Sequence, residues 1–372
     1  MPIRIGVNAL YLIPGGVGGT EIYLRNLLAA MAQIDTTNTY SVLTNRETTD
    51  LTPAASNFTE IQTHVRAKIR PYRILWEQTA LPFAASEFDV LFNPGFTAPV
   101  IAPCPQVTVF HDLQHKRHPE YFRWFDRPFW RALLFASARR SSRLIAVSEA
   151  TRRDLLKYYR VDSRVVPHGV EPAFFEMARE RRPEPIILCV STLHPHKGIE
   201  ALVKAFGAFR SRHPEFRLVL AGMRGFHAQA IERTITGLDL QRSVRITGWV
   251  ERDELYGLYR RAWAFVYPSR FEGFGMPVAE AMAAGIPTAC SSIDPLRELA
   301  GEAALLFDPG DERAIATALE RIATDDDLRA RLQSEGPRRA SALSWQASAR
   351  ATLEVLEDAV RAPDRSAISV SR

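Results

Sequence analysis

The chain has 372 residues, of which 46% are hydrophobic and 24% charged, with 47 Lys and Arg against 42 Asp and Glu, a net charge of +5. That length exceeds one typical domain and suits two, each able to bury its own core, and the composition excludes a disordered or fibrous chain. The modest positive balance suits small polyanionic ligands and gives no ground for nucleic acid as a partner.

Residues 3–9 (IRIGVNA) read as a buried first strand, followed by a loop and an amphipathic helix over 20–31 with Thr20 as its N-cap. In that loop, GGVGG has two readings, a plain strand-to-helix turn and a close-approach loop under a ligand; the second is favoured. Gly16 and Gly18 fit the first two glycines of a dinucleotide fingerprint, with Gly19 beside them. Glu21 stands where the third glycine belongs, which disfavours an NAD oxidoreductase.

Short elements are expected at 40–43, 58–63, 89–92 and 106–110. Within 72–85 (YRILWEQTALPFAA), Trp76 is read as packing a helix on the sheet, and Lys68, Arg70 and Arg73 as a solvated charged face rather than a contact for an anionic acceptor. His111 and Asp112 follow the apolar run VTVF, at the carboxyl end of a strand, where ligands collect in open α/β sheets. His115 and His118 are read as surface residues. Aromatics and arginines alternate over 121–143, which reads as a packing helix with a charged outer face, a basic membrane-surface helix being the alternative. A strand and a helix follow over 144–159, with Ser148 as N-cap.

The charged, proline-bearing run ARERRPEP, 178–185, is expected to be the hinge between a first domain, 1–177, and a second, 186–344. From Ile186 onward strands (IILCVS, RLVLAG, VRIT, AWAFVY) alternate with helices near 198–210, 227–237 and 253–261, the pattern of a parallel sheet with right-handed crossovers. Helices are expected at 311–323, 328–333 and 345–360, and a frayed tail at 362–372. Cys104, Cys189 and Cys290 are widely separated and form neither a disulfide framework nor a metal spacing, which points to a reducing cytoplasm. No apolar run reaches the roughly 20 residues of a spanning helix, and no cleavage-type signal is evident, so any membrane contact is expected to be peripheral.

Three stretches of the second half carry chemistry. In STLHPHKG, 191–198, Lys197 is a compact cation suited to a leaving diphosphate, while Ser191 and Thr192 offer hydroxyl donors without charge. TGWVERDEL makes Trp249 and Val250 a candidate wall for a nucleotide base. PSRFEGFGMPVAEAMAAG, 268–285, reads as strand, glycine loop and helix, with Glu272 in the loop, Gly273, Phe274 and Gly275 after it, Met276 opening the helix and Glu280 about a turn further on. Glycine amides and a helix start suit an anion. Two carboxylates would repel phosphate alone, but they accept hydrogen bonds from a diol. The ligand inferred carries both groups: a nucleotide diphosphate joined to a sugar.

The run FEGFGMPVAEAMAAG, with seven residues between its two glutamates, resembles the signature of glycosyltransferase family 4, and VSEATRRDL and PHGVEPAF resemble other landmarks of that family. The resemblance implies a GT-B fold of two Rossmann-like domains with parallel sheets facing across a cleft, a last helix (345–361) returning to the first domain, and retention of anomeric configuration. It implies that HDLQHKRHPEYF carries the family's His-Asp element, with His111 facing the donor sugar, and that GGVGG is the family's glycine loop. It implies too that Lys197 is the family's lysine; many members add an arginine shortly upstream, and here Ser191 and Thr192 stand instead, with His196, Arg270 or a first-domain residue as substitutes. SSIDPLRELAG departs from the commoner pattern. WEQ followed by LP is similar to bacterial polysaccharide mannosyltransferases, which points to GDP-mannose as donor. The expected activity is hexose transfer to a saccharide or lipid-linked saccharide acceptor in the cytoplasm, with peripheral membrane contact, no cofactor and no Mg²⁺. The alternatives are an epimerase or phosphorylase on the same fold, and a silent sugar-nucleotide binding protein.

Overall fold

The structure, a computed structural model, describes residues 1–16, 18–121 and 127–362. The chain divides into two units, one of Met1–Gly169 with Ser344–Arg372 and one of Val170–Leu343.

In the first unit the elements run β1 Arg4–Asn8, α1 Gly19–Ile34, β2 Thr39–Thr44, β3 Phe58–Gln62, α2 Arg70–Thr79, α3 Leu81–Ala84, β4 Val90–Asn93, β5 Gln106–Phe110, α4 Gln114–Arg117, α5 Arg127–Arg140, β6 Arg143–Ala146, α6 Glu149–Tyr159 and β7 Arg164–Val165. All strand pairings are parallel, in a 7-stranded sheet of order β3-β2-β1-β4-β5-β6-β7. The order reverses between β1 and β4, and at such a switch point the carboxyl ends of neighbouring strands open a crevice for ligands. The glycine loop hangs from β1, the turn at Pro94–Phe96 follows β4, and His111 follows β5.

In the second unit come α7 Pro172–Met177, β8 Ile186–Val190, α8 Ile199–Arg210, β9 Arg217–Ala221, α9 Ala228–Gly237, β10 Val244–Gly248, α10 Arg252–Arg261, β11 Ala264–Tyr267, α11 Met276–Ala283, β12 Thr288–Ser291, α12 Asp294–Ala300, β13 Leu305–Phe307, α13 Glu312–Thr324 and α14 Asp326–Ala340. Its sheet is parallel and 6-stranded, in the order β10-β9-β8-β11-β12-β13. Here the switch falls between β8 and β11, so the turn bearing Lys197 and the loop bearing Glu272 leave adjacent strands.

The final helix, α15 Trp345–Arg361, belongs to the first unit and packs on α1. The seam follows from helical period: α1 buries Tyr23, Leu24, Leu27, Leu28 and Met31, and α15 buries Trp345, Ala349, Thr352, Val355, Leu356 and Ala359. Each large apolar side chain removed from water there contributes roughly 1.5–3 kcal/mol.

Several local expectations change. Thr20 does not cap α1; the cap is Gly18, whose φ of 59° suits a residue without a Cβ. Ser148 does cap α6, its Oγ accepting from the Thr151 amide at 3.1 Å. Arg73 is buried rather than solvated, paired along α2 with the fully buried Glu77 at 3.5 Å. His115 is buried, its ring 2.6 Å from the Tyr159 hydroxyl, because α4 turns it under α6. Trp76 packs against the cluster of Leu43, Leu81, Ala85, Phe88 and Leu91.

The segment expected as a hinge is stitched to the second unit. Arg181 donates to the Gly285 and Ala262 carbonyls at 2.5 and 2.6 Å, and the Glu184 amide bonds the Arg261 carbonyl at 2.8 Å. The chain passes between units eight residues before the expected end of the first domain, because α7 packs on α10 and α11. α14 runs well past the expected 328–333, since Asp325 caps it and the helix continues through Pro337. α5 buries Leu133, Leu134, Ser137 and Ala138 and leaves Arg131, Arg139 and Arg140 outside; residues 122–126 of the aromatic stretch lie outside the described residues, as does the tail from 363. Among the described residues no helix is long and apolar enough to cross a membrane.

Candidate active site

Lys197 and Glu272 are 75 residues apart in sequence and meet because their loops leave neighbouring strands. Lys197 ends a 3₁₀ turn, Pro195–Lys197, and its Nζ donates to Glu272 Oε1 at 2.6 Å and to the Tyr267 hydroxyl at 3.3 Å. The two side chains keep 17% and 10% of their exposure, so the pair is shielded yet reachable. The two loops are further joined at the His196 carbonyl, which accepts from the Arg270 amide at 2.7 Å and from Ser269 Oγ at 3.3 Å.

Gly198 makes this approach possible. It has φ of 65°, and a Cβ there would lie 2.2 Å from the Pro268 carbonyl oxygen. Gly198→Ala is therefore expected to cost about 2–4 kcal/mol, from left-handed strain plus displacement of one loop from the other. A thermal melt should show a fall of several degrees, and an unchanged melting temperature would refute the tight juxtaposition.

After Glu272 the chain passes Gly273 and the buried Phe274 to Gly275, which caps α11 with φ of 103°. A Cβ on Gly275 would meet Leu296 at 2.3 Å, so α12 holds the loop from behind. Met276 and Pro277 open the helix, and Pro277 occupies a first-turn position that lacks an amide partner in any case.

Glu280 lies in a second cluster on the same unit. It is buried, and the Tyr259 hydroxyl donates to its Oε2 at 2.9 Å. Arg252 Nη2 stands 3.9 Å from its other oxygen. That guanidinium is held by an ion pair with Glu171 and lies between the Phe174 and Tyr256 rings, 5.4 and 5.1 Å from their centroids. Tyr256 in turn donates to Glu171 at 2.6 Å. Burial pushes the Glu280 carboxyl up to about 7, against the opposing pull of Arg252 and Tyr259. Neither Arg252 nor Tyr259 nor Glu171 is singled out by sequence; the RDEL run could have shown only that a helix starts there.

The remaining donor-side residues are less enclosed. Ser191 is buried with its Oγ on the Thr192 carbonyl at 3.2 Å, and Thr192 is half-buried. Trp249 is exposed and Val250 half-exposed, beyond the end of β10, two strands from the switch point.

In the first unit His111 is buried, with Nε2 2.8 Å from the Pro94 carbonyl. The carbonyl can only accept, so Nε2 carries the proton and Nδ1 presents a lone pair. Burial drives this imidazole down to about 4, so it is neutral at pH 7. The rings of Tyr23, Phe96 and His168 surround it at 4.8, 5.1 and 5.5 Å. Phe96 adopts φ of 70°, a strained backbone at the turn that supplies this wall. Asp112 accepts from the Gln114 amide at 2.8 Å and shapes the following turn.

Gly16 and Gly19 are exposed and Gly18 is half-exposed. Gly16 could not gain a Cβ without meeting Ile13 at 2.9 Å. The loop is tethered by Glu21, which accepts from the Gly15 amide at 2.8 Å and pairs with Arg25 at 3.0 Å. The residue that breaks the dinucleotide fingerprint thus fixes the loop, a role its position signals only once the bond is seen. Among the described residues, no group of three His, Cys, Asp or Glu is placed to hold a metal ion.

Comparison with known proteins identifies the family and the fold. Residues 17–174 match the Glycosyltransferase Family 4 domain and residues 171–339 match Glycosyl transferases group 1. The O-antigen chain mannosyltransferase B of Escherichia coli is 28% identical over 257 residues, 64% of this chain and 67% of that protein. The O-antigen chain mannosyltransferase RfbU of Salmonella typhimurium is 30% identical over 220 residues, 58% of this chain and 60% of that protein. The alignments thus span about two thirds or less of these relatives. Among solved structures, the sucrose-phosphate synthase of Thermosynechococcus elongatus superposes with a TM-score of 0.78 at 22% identity, covering 96% of this chain and 98% of that one. That likeness establishes the fold, GT-B. With the two family matches running in succession from residue 17 to residue 339, the chain belongs to the group 1, or family 4, glycosyltransferases.

Proposed function

We propose that the protein transfers a hexose, mannose by preference, from a nucleotide diphosphate sugar to an acceptor hydroxyl with retention of configuration. The observation that carries this reading is the Lys197–Glu272 pair at the switch point, where a cation and a carboxylate converge beside a glycine loop and helix start. Lys197 and the amides of Gly273, Phe274, Gly275 and Met276 serve the diphosphate, with Ser191 and Thr192 adding hydroxyl donors. Glu272 holds sugar hydroxyls and Glu280 the ribose diol, while backbone groups of Trp249 and Val250 line the base. His111, neutral and with a free lone pair at Nδ1, orients a sugar hydroxyl, and Asp112 fixes the turn that follows it. Gly16, Gly18 and Gly19 bring backbone close to donor or acceptor. Leaving-group charge is met by fixed cations and dipoles rather than a metal ion, and no cofactor is required.

Similarity to the two O-antigen mannosyltransferases supports GDP-mannose as donor and a saccharide or lipid-linked saccharide as acceptor. The work is placed in the cytoplasm, with peripheral contact at the inner face of the membrane. Thermal-shift titration with GDP-mannose, GDP-glucose, UDP-glucose and UDP-galactose tests the donor. GDP-mannose is expected to give the largest stabilisation, and equal shifts for all four would refute the preference. Incubation with donor alone should give only slow hydrolysis; conversion to an epimer would assign the site to an epimerase instead.

A further inference from the structure

Helix α2 turns two successive side chains onto the loop that follows β4. Thr97 Oγ1 donates to Glu77 Oε2 at 3.0 Å, while the Gln78 side chain holds the Ala98 carbonyl and the Val100 amide at 3.1 and 2.9 Å. Glu77 is fully buried, and burial raises its carboxyl above the ordinary value, against the pull of Arg73 and Thr97. Arg73 meets it only at 3.5 Å, and among the described residues Glu77 Oε1 and Arg73 Nε have no hydrogen-bond partner. The order does not suit the helix either, since an acid four residues before a base is the better arrangement. A buried pair this imperfect is a poor source of stability, and what it supplies is the position of the group it holds.

That group is strained. The Thr97 amide bonds the Gly95 carbonyl at 2.8 Å across Phe96, whose φ of 70° makes this the rare form of a γ-turn. Such a backbone persists only where its surroundings fix it. Glu77 does so from α2, the Val109 carbonyl takes the Phe96 amide at 3.2 Å, and Tyr11 packs so closely that a Cβ on Gly95 would lie 2.4 Å from its ring. Pro94 enters the turn, and its carbonyl accepts from His111 Nε2 at 2.8 Å, with the Phe96 ring 5.1 Å from the same imidazole. The direction of that one carbonyl decides which ring nitrogen carries the proton.

We infer that Glu77, through Thr97 and the turn at Gly95–Thr97, is a positioning residue that locks the orientation and the Nε2-protonated form of His111. Once the turn is released, the Pro94 carbonyl rotates, because Gly95 has no side chain to restrain the peptide, and His111 samples both neutral tautomers. The effect on transfer rests on the proposed role of His111 at the sugar; the effect on the ring does not. Imidazole ¹⁵N NMR of the full chain labelled at histidine tests it, with His111 assigned by its loss in His111→Gln, beside kinetics with GDP-mannose. The unaltered chain should show one protonated and one unprotonated nitrogen at His111. Thr97→Val, which keeps the shape and removes the hydroxyl, should average the two signals and lower kcat by about 10- to 100-fold with little change in donor KM. Thr97→Ser should restore both. Arg73→Met with Glu77→Leu, which replaces the pair by apolar side chains, should act like Thr97→Val without lowering the melting temperature. Unchanged His111 signals in either folded variant overturn the inference, as does a loss confined to melting temperature. Averaged signals with kcat unchanged leave the inference standing and remove His111 from the sugar.

Discussion

Glu280→Gln is expected to weaken donor binding by about 10- to 100-fold while leaving the protein as stable as before or more so. A carboxylate accepting from both hydroxyls of a diol makes two charge-assisted hydrogen bonds, each worth roughly 1.5–3 kcal/mol, and an amide retains only one acceptor oxygen. Removing a buried charge has the opposite effect on folding. The Glu280 carboxyl is raised from its usual 4.5 to about 7, so its ionised form is disfavoured in the folded chain. Stability is accordingly lost as pH rises from about 4.5 to about 7, by up to about 3 kcal/mol, and glutamine removes that loss. The wild-type donor affinity should climb roughly tenfold between pH 6 and pH 8, as the diol-binding form fills. The groups facing Glu280 that govern this are Arg252 and Tyr259 from α10 and Glu171 just before α7. Arg252 opposes the upward shift, so Arg252→Gln should move the midpoint to higher pH, and alkaline conditions should rescue binding. Isothermal titration with GDP and GDP-mannose across pH measures all three. A Glu280→Gln protein that binds like the wild type would remove the diol from this carboxylate.

Lys197→Ala should depress kcat by about 10²- to 10³-fold, the usual cost of losing one preorganised donor at a developing negative charge. Arginine should restore only part of it, since a planar fork replaces a compact ammonium. The ion pair adds a sharper test. Before donor binds, Glu272 occupies the lysine at 2.6 Å, so diphosphate must share that cation with a carboxylate. Glu272→Gln frees the lysine, and GDP alone should bind several-fold more tightly to it. Transfer by the same variant should nonetheless fall by about tenfold or more, because in the proposed reading the carboxylate also holds sugar hydroxyls. Tighter GDP binding together with slower transfer separates this arrangement from a merely structural salt bridge, for which neither quantity would move.

The sequence-based outline of the second unit survives almost intact because its signals are local. Strands such as IILCV and AFVY are short apolar runs, and the glycines and Pro277 punctuate the passage to α11 within a few residues. The seven-residue spacing of Glu272 and Glu280 is likewise a property of one contiguous stretch. Errors arose where a residue's environment comes from far away. Arg73 and His115 look like surface residues in their own segments, yet other elements bury them. ARERRPEP has a linker's composition, but carbonyls about 80 and 100 residues further on hold Arg181 in place.

Composition, periodicity and turn chemistry therefore determined that this chain forms two parallel α/β units with an acidic glycine loop before a helix, because each rests on bonds and sterics among neighbours. Only the tertiary structure decided that Lys197 grips Glu272, that Arg252 and Tyr259 stand on Glu280, that Glu21 tethers the first loop, and that Glu77 holds the turn beside His111. Those facts depend on which strands lie side by side and which faces the packing covers, since burial and the fields of nearby charges are set by distant parts of the chain.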